Sequence, residues 1–219
     1  MRFAEDIKGI IFDCDGVLLD SLMIWEDLGA RYLRSKGKVP EEGLAETLFS
    51  MSLEQGAEYL NRNYDLGETA EEIGQGLQDM LRDFYFYEVL AKPGAAELLE
   101  TLSKRGLRVT AATSSPREHI ERALERNGML GYIERIFTNS EVGTSKHSPD
   151  IYNIAAESMG TKPGETVVFE DSLYALKTAA DAGYHTVGVY DSHGESDQEG
   201  LERTADIYVK ELAELNAQF

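Results

Sequence analysis

Ile10-Ile11-Phe12-Asp13-Cys14-Asp15-Gly16-Val17-Leu18-Leu19-Asp20-Ser21 is an apolar, β-forming run that ends abruptly in carboxylates. Apolar runs bounded by turn signals read as buried strands, and a strand buried on both faces belongs in a parallel sheet. Asp13 and Asp15 then fall where the strand leaves the core, with Gly16 permitting a sharp turn behind them. Open parallel sheets bind ligands at that edge, beyond the carboxyl ends of their strands. Two crowded like charges are costly unless a cation neutralises them or one carboxyl keeps its proton, and hard oxygen ligands on a tight turn suit Mg²⁺. The stretch reads as a metal site holding a nucleophile or base. An Asx-type turn after a strand would use the same residues for local hydrogen bonding alone.

Composition narrows the classes. A chain of 219 residues holds one domain of good size, or a core with a modest insertion. Hydrophobic residues at 42% and charged residues at 28% are ordinary for a soluble globular protein. The 21 Lys and Arg against 40 Asp and Glu leave a net charge of -19, which repels nucleic acid and anionic membrane surfaces. Neither is an expected partner. An anionic substrate must be drawn in locally, by a divalent cation and a few placed Lys or Arg. Cys14 is the only cysteine, which excludes an intrachain disulfide and fits a reducing compartment. The segment Met1-Arg2-Phe3-Ala4-Glu5-Asp6 carries acid at once and has no apolar h-region, and no apolar run reaches spanning length. The expected location is cytoplasmic.

After the opening strand, residues 22 to 89 show helical spacing, many acids and almost nothing strand-like. Trp25, Leu28 and Tyr32 recur at helical intervals, as do Leu53, Ala57 and Leu60, and Ile73, Leu77, Met80, Leu81 and Phe84 form a third stripe. Gly37 and Pro40 end the first helix, and Thr69 before Glu72 gives a capping-box start to the last. Trp25 is expected in the packing of these helices, with a wall of the substrate pocket as the alternative, and Phe49, Met51 and the Phe84 to Tyr87 cluster in the core, with specificity residues as the alternative. From Lys92-Pro93-Gly94 onward, helices of ten to fifteen residues alternate with short apolar strands, the pattern of repeated βα units. Strands are predicted at 107–112, 135–138, 166–169, 185–189 and 206–209, with helices at 95–105, 117–127, 149–159 and 173–182. Residues 191–200 read as a surface loop. The fold class is therefore α/β: a Rossmann-like three-layer core with a parallel sheet, from residues 1–21 and 90–219, and a small all-helical cap domain, residues 22–89, inserted after the first strand.

Three further places carry polar residues suited to phosphate chemistry. The strand 107–112 runs into Thr113-Ser114-Ser115-Pro116, a hydroxyl and backbone N–H groups at a helix start, which together form an anion site. Lys146, in Thr144-Ser145-Lys146-His147-Ser148-Pro149, precedes a helix whose first turn Pro149 can occupy, and supplies a compact positive charge. The strand Val167-Val168-Phe169 ends in Glu170-Asp171, a second acidic pair. The four places in this order are far more specific than any one of them. Arg117 reads as a solvated first-turn residue, Cys14 as a small buried apolar residue, and the four histidines show no metal-ligand spacing.

In these residues the chain resembles the haloacid dehalogenase-like superfamily, and within it the phosphatases and mutases similar to β-phosphoglucomutase, with a helical cap after the first motif. The first motif matches Asp13 to Ser21, the second Thr113, the third Lys146 and the fourth Glu170 and Asp171. One departure is His147, where relatives usually carry proline; it reads as a loop residue. The resemblance implies that Asp13 attacks phosphorus and forms an aspartyl-phosphate, while Asp15 protonates the leaving alkoxide and then deprotonates water. It implies Mg²⁺ held by Asp13, the backbone carbonyl of Asp15 and Asp171, with Glu170 serving the metal through water or orienting its neighbours. Gly16, Thr113, the Ser114 N–H and Lys146 would hold phosphate oxygens.

Asp15 separates this chain from the dehalogenating members, which attack carbon and lack that aspartate. Mutases similar to this chain carry a histidine four residues after the motif hydroxyl and a cap arginine for a second phosphate. Here those positions read Trp25 and Ser50-Met51-Ser52-Leu53. The expected function is a Mg²⁺-dependent phosphatase acting on a small phosphorylated metabolite such as a sugar phosphate or nucleotide, as a monomer or weak homodimer. The alternatives are a phosphosugar mutase of the β-phosphoglucomutase type and a non-catalytic phosphate-binding regulator.

Overall fold

A computed structural model describes residues 6–49 and 51–217. The chain folds as two compact units: one takes it up to Ser21 and again from Val89 onward, the other is Leu22–Glu88.

The first unit is built on a sheet of six parallel strands. In chain order these are β1 (Gly9–Phe12), β2 (Arg108–Thr113), β3 (Arg135–Thr138), β4 (Thr166–Glu170), β5 (His185–Val189) and β6 (Ile207–Val209), arranged β3-β2-β1-β4-β5-β6. The run at Ile10 thus becomes the central strand, paired on both sides and closed to solvent at every residue. Ile11, Ala112 and Val168 form one cluster with Ile151, Tyr152 and Ala155. Strand alternation sends Ile10, Phe12 and Phe169 to the opposite face, where they are equally buried and the Phe12 and Phe169 rings meet at 4.3 Å. The arrangement is Rossmann-like.

The second unit is all-helical, with α1 (Met23–Ser35), α2 (Leu44–Phe49), α3 (Leu53–Asn63) and α4 (Ala70–Asp83) followed by a π-helical turn, Phe84–Glu88. Capping boxes fix two starts, Ser52 with Gln55 on α3 and Thr69 with Glu72 on α4. The α1 stripe is Ile24, Leu28, Gly29, Tyr32 and Leu33. Trp25 stands one residue round the helix from it and is 44% exposed, which corrects its expected place in the packing. Phe84 and Tyr85 are buried as expected, but Tyr87 is exposed and Met51 only half-buried. Ser50 and the Phe49 side chain lie outside the described residues. α2 has no counterpart among the predicted stripes, since six residues are too few to show a period.

The remaining helices of the first unit are α5 (Ala95–Lys104), α6 (Arg117–Arg126), α7 (Asn139–Val142), α8 (Asp150–Met159), α9 (Leu173–Asp181) and α10 (Gln198–Thr204). Pro149 stands at the N-cap of α8 rather than in its first turn. Residues 191–200 are loop only as far as Asp197, whose side chain accepts the Gly200 N–H and starts α10. No helix among the described residues is long and apolar enough to cross a membrane.

Candidate active site

Sheet register places the site. Phe12 pairs with Ala111 on one side and Phe169 on the other, so Asp13 leaves the sheet level with Glu170 and one residue short of Thr113. The bond from the Asp13 N–H to the Phe169 carbonyl, 2.9 Å, carries the pairing one residue beyond the strand.

Lys146 closes the cluster from the loop before α8. Its side chain is 2% exposed, with Nζ 2.7 Å from Asp13 Oδ1 and 2.8 Å from Glu170 Oε1. Burial would lower this ammonium, and the Asp13 and Glu170 carboxylates override it and hold it charged. Asp13 Oδ1 also accepts the Cys14 N–H at 2.7 Å. Burial pushes the Asp13 carboxyl well above the usual carboxylate range, against the pull of Lys146 and with repulsion from Glu170, Asp171 and Asp15. Burial and the neighbouring Glu170 likewise push Asp171 up to about 7.

Asp13, Glu170 and Asp171 each bring a potential ligand oxygen within 4.8 Å of the others, all three being buried. Glu170 Oε2 is buried with no hydrogen-bond partner among the described residues. A set of hard carboxylate oxygens with an orphaned buried lone pair fits a divalent cation of the Mg²⁺ or Ca²⁺ type.

Asp15 stands apart from that carboxylate group. Ser21 Oγ donates to its Oδ1 at 2.7 Å and Ser115 Oγ to its Oδ2 at 2.6 Å. Gly16 sits at φ 73 and donates its N–H to the Leu19 carbonyl, forming the turn behind Asp15. Thr113 ends β2 fully buried, its Oγ1 accepting the Ser115 N–H at 3.0 Å, whereas Ser114 is exposed and its Oγ accepts Asn139 Nδ2 at 2.8 Å.

Several contributors had no role in the sequence reading. Ser115 was visible only as a neighbour of Thr113, Ser21 only as the closing residue of the first motif, and Tyr152 and Asn139 not at all. The Tyr152 hydroxyl donates to Glu170 Oε1 at 2.7 Å from within the core. Arg117 is partly solvated, as expected, and is also committed: Nη2 donates to the Ile136 carbonyl at 2.7 Å, and the guanidinium pairs with Glu141 and Glu121. The His147 ring stacks on Tyr174 at 4.4 Å. Cys14 is fully buried, and burial pushes its thiol up, in keeping with an inert residue.

A family model described as haloacid dehalogenase-like hydrolase matches residues 7–183, a span that contains every residue of this site. The chain belongs to the haloacid dehalogenase-like hydrolases. Among curated relatives of this hydrolase is the phosphorylated carbohydrates phosphatase of Thermotoga maritima, 27% identical over 182 residues that cover 83% of this chain and 84% of the relative. Hexitol phosphatase A of Escherichia coli is 29% identical over 191 residues, covering 83% and 82%. Among solved structures, the putative β-phosphoglucomutase of Thermotoga maritima superposes with a TM-score of 0.85 at 26% identity, over 96% of this chain and 98% of that one. The haloacid dehalogenase-like fold accordingly extends over essentially the whole chain.

Proposed function

We propose that this hydrolase is a Mg²⁺-dependent phosphatase of small phosphomonoesters, sugar phosphates foremost, working through an aspartyl-phosphate on Asp13. The observation that carries the reading is the contact of Lys146 with Asp13 and Glu170 inside a buried group of three carboxylates, beside a separately held Asp15. The names of the phosphorylated carbohydrates phosphatase and hexitol phosphatase A favour a sugar or sugar-alcohol phosphate.

In this reading Asp13 attacks phosphorus in line, and the ester P–O bond breaks as the new one forms. Lys146 and the Cys14 N–H both engage Asp13 Oδ1, which leaves Oδ2 for the attack. Asp15 gives its proton to the leaving alkoxide, then takes one from the water that cleaves the aspartyl-phosphate and restores Asp13. Its two serine hydroxyls hold it at one angle for both transfers. Asp13, Asp171 and the Asp15 carbonyl would hold Mg²⁺, with Glu170 reaching it through water. When bound, the ion supplies charge neutralisation for the phosphoryl oxygens. Lys146, Thr113 and the Ser114 N–H hold the remaining oxygens. The unit Leu22–Glu88 acts as a cap that selects the leaving group and excludes water from the first transfer.

The cap disfavours a mutase. Arg31, Arg34, Lys36, Arg62 and Arg82 each pair with a carboxylate of their own unit, and Trp25 and Ser50-Met51-Ser52-Leu53 stand where mutases carry a histidine and an arginine, which favours hydrolysis. The test is phosphate release from a panel of sugar phosphates, hexitol phosphates and nucleoside monophosphates, with Mg²⁺ and with EDTA, on the wild type and Asp13→Asn. Release that disappears with EDTA and with the substitution supports the reading. Interconversion of glucose phosphates without net phosphate release would make the chain a mutase, and undiminished release by Asp13→Asn would remove the nucleophile.

A further inference from the structure

Tyr152 is fully buried on α8 in a cluster with Ile11, Ala155, Ala156, Met159 and Val168, its ring edge-on to Tyr184 at 6.1 Å. A phenylalanine would fill the same space without a polar atom to satisfy, and a buried hydroxyl is costly unless it is paired. Here it is paired, at 2.7 Å, with Glu170 Oε1. Lys146 engages that same oxygen at 2.8 Å. The other oxygen, Oε2, is buried and has no partner among the described residues.

This asymmetry orients the carboxylate. Two donors on Oε1 resist rotation of the group, because turning it would break both bonds at once. Oε2 is thereby left without either donor, on a carboxylate that belongs to the acidic group formed with Asp13 and Asp171. Groups that bind metal are commonly fixed by such outer partners, whose loss costs about 10- to 100-fold in metal affinity or activity.

We propose that Tyr152 is a positioning residue for the cation site: by holding Glu170 Oε1 it presents Oε2 to the divalent ion or to a water of its shell. The proposal rests on the reading above only for the presence of a divalent cation, and not on the identity of the substrate.

The experiment is a Mg²⁺ titration of metal-stripped protein without substrate, followed by calorimetry and by the Mg²⁺-dependent rise in melting temperature. Tyr152→Phe is expected to raise the Kd for Mg²⁺ roughly tenfold or more while still folding cooperatively. In a Glu170→Ala background the same substitution is expected to change the affinity no further, because the group through which Tyr152 acts is gone. Unchanged Mg²⁺ affinity in Tyr152→Phe, or an equal loss in both backgrounds, would overturn the proposal. A Tyr152→Phe chain that fails to fold would overturn it too, by making the hydroxyl a structural requirement. Because binding is read directly, a wild type that hydrolyses no phosphomonoester would defeat the proposed function while leaving this test intact.

Discussion

Ser115 Oγ donates to Asp15 Oδ2 at 2.6 Å, joining positions 100 residues apart in the chain. With Ser21 on the other oxygen, the pair leaves Asp15 little freedom to turn. Ser115→Ala is expected to lower kcat about tenfold with little change in KM, part of the 10²- to 10⁴-fold that a well-placed acid and base contribute. Steady-state kinetics on the best substrate of the panel check this, and an unchanged kcat would show that Ser21 alone is sufficient.

Lys146→Met removes the cation from between two buried carboxylates. Breaking a buried pair from one side costs about 3–5 kcal/mol, because a charge is left behind without compensation. Urea unfolding of the Mg²⁺-free protein should show a loss of that order. Turnover should fall below detection even at temperatures where the variant is fully folded.

Gly16 holds φ 73 directly after Asp15. An alanine there meets the left-handed backbone penalty, about 1 kcal/mol. The expected outcome for Gly16→Ala is a small drop in melting temperature and a larger drop in kcat, since the strain is relieved by shifting the Asp15 turn. A variant with a lowered melting temperature and wild-type kcat would dissociate the turn from catalysis.

The Arg117 hydrogen bond holds the Glu141 carboxyl down at about 2, from an ordinary 4.5. A carboxyl lowered by folding contributes stability that is present above about 4.5 and is lost as pH falls toward 2. Side-chain exposures of 38% and 46% mean that solvent screens the pair, which limits its contribution to about 1 kcal/mol or less. Glu141→Gln should therefore be slightly less stable than the wild type at neutral pH and converge with it near pH 2, as read from urea midpoints across that range.

The architecture was legible because its signals are local. An apolar run stopping at Asp13, alternation of short strands with glycine-ended helices, and an acidic helical stretch between them all survive in one dimension. So did the residues that the sheet edge gathers, Asp13, Thr113, Lys146, Glu170 and Asp171, since each follows a strand or precedes a helix. What stayed hidden depends on the third dimension. Nothing in the sequence distinguishes the Tyr152 hydroxyl from a phenylalanine edge, because its partner Glu170 belongs to another element. Ser115 is one hydroxyl among several in its loop until the register of β1 and β2 brings it to Asp15. Trp25 misled for the opposite reason: a helical stripe can be drawn through it, yet the stripe that packs begins at Ile24.

The two stretches that lead into and out of Leu22–Glu88 are bonded to each other within the first unit. The Asp20 N–H meets the Leu90 carbonyl, the Lys92 N–H meets the Leu18 carbonyl, and Leu19 and Ala91 form an antiparallel bridge. Lys92 is anchored in turn to Asp191 at 2.7 Å. The insertion is therefore stapled at its neck, and to the sheet it counts as a tight hairpin whatever its length. Loop-closure entropy grows only slowly with added residues, and here the ends are already held together. The inserted helices can thus be lengthened, shortened or exchanged at little entropic cost while β1 keeps its register with β2 and β4.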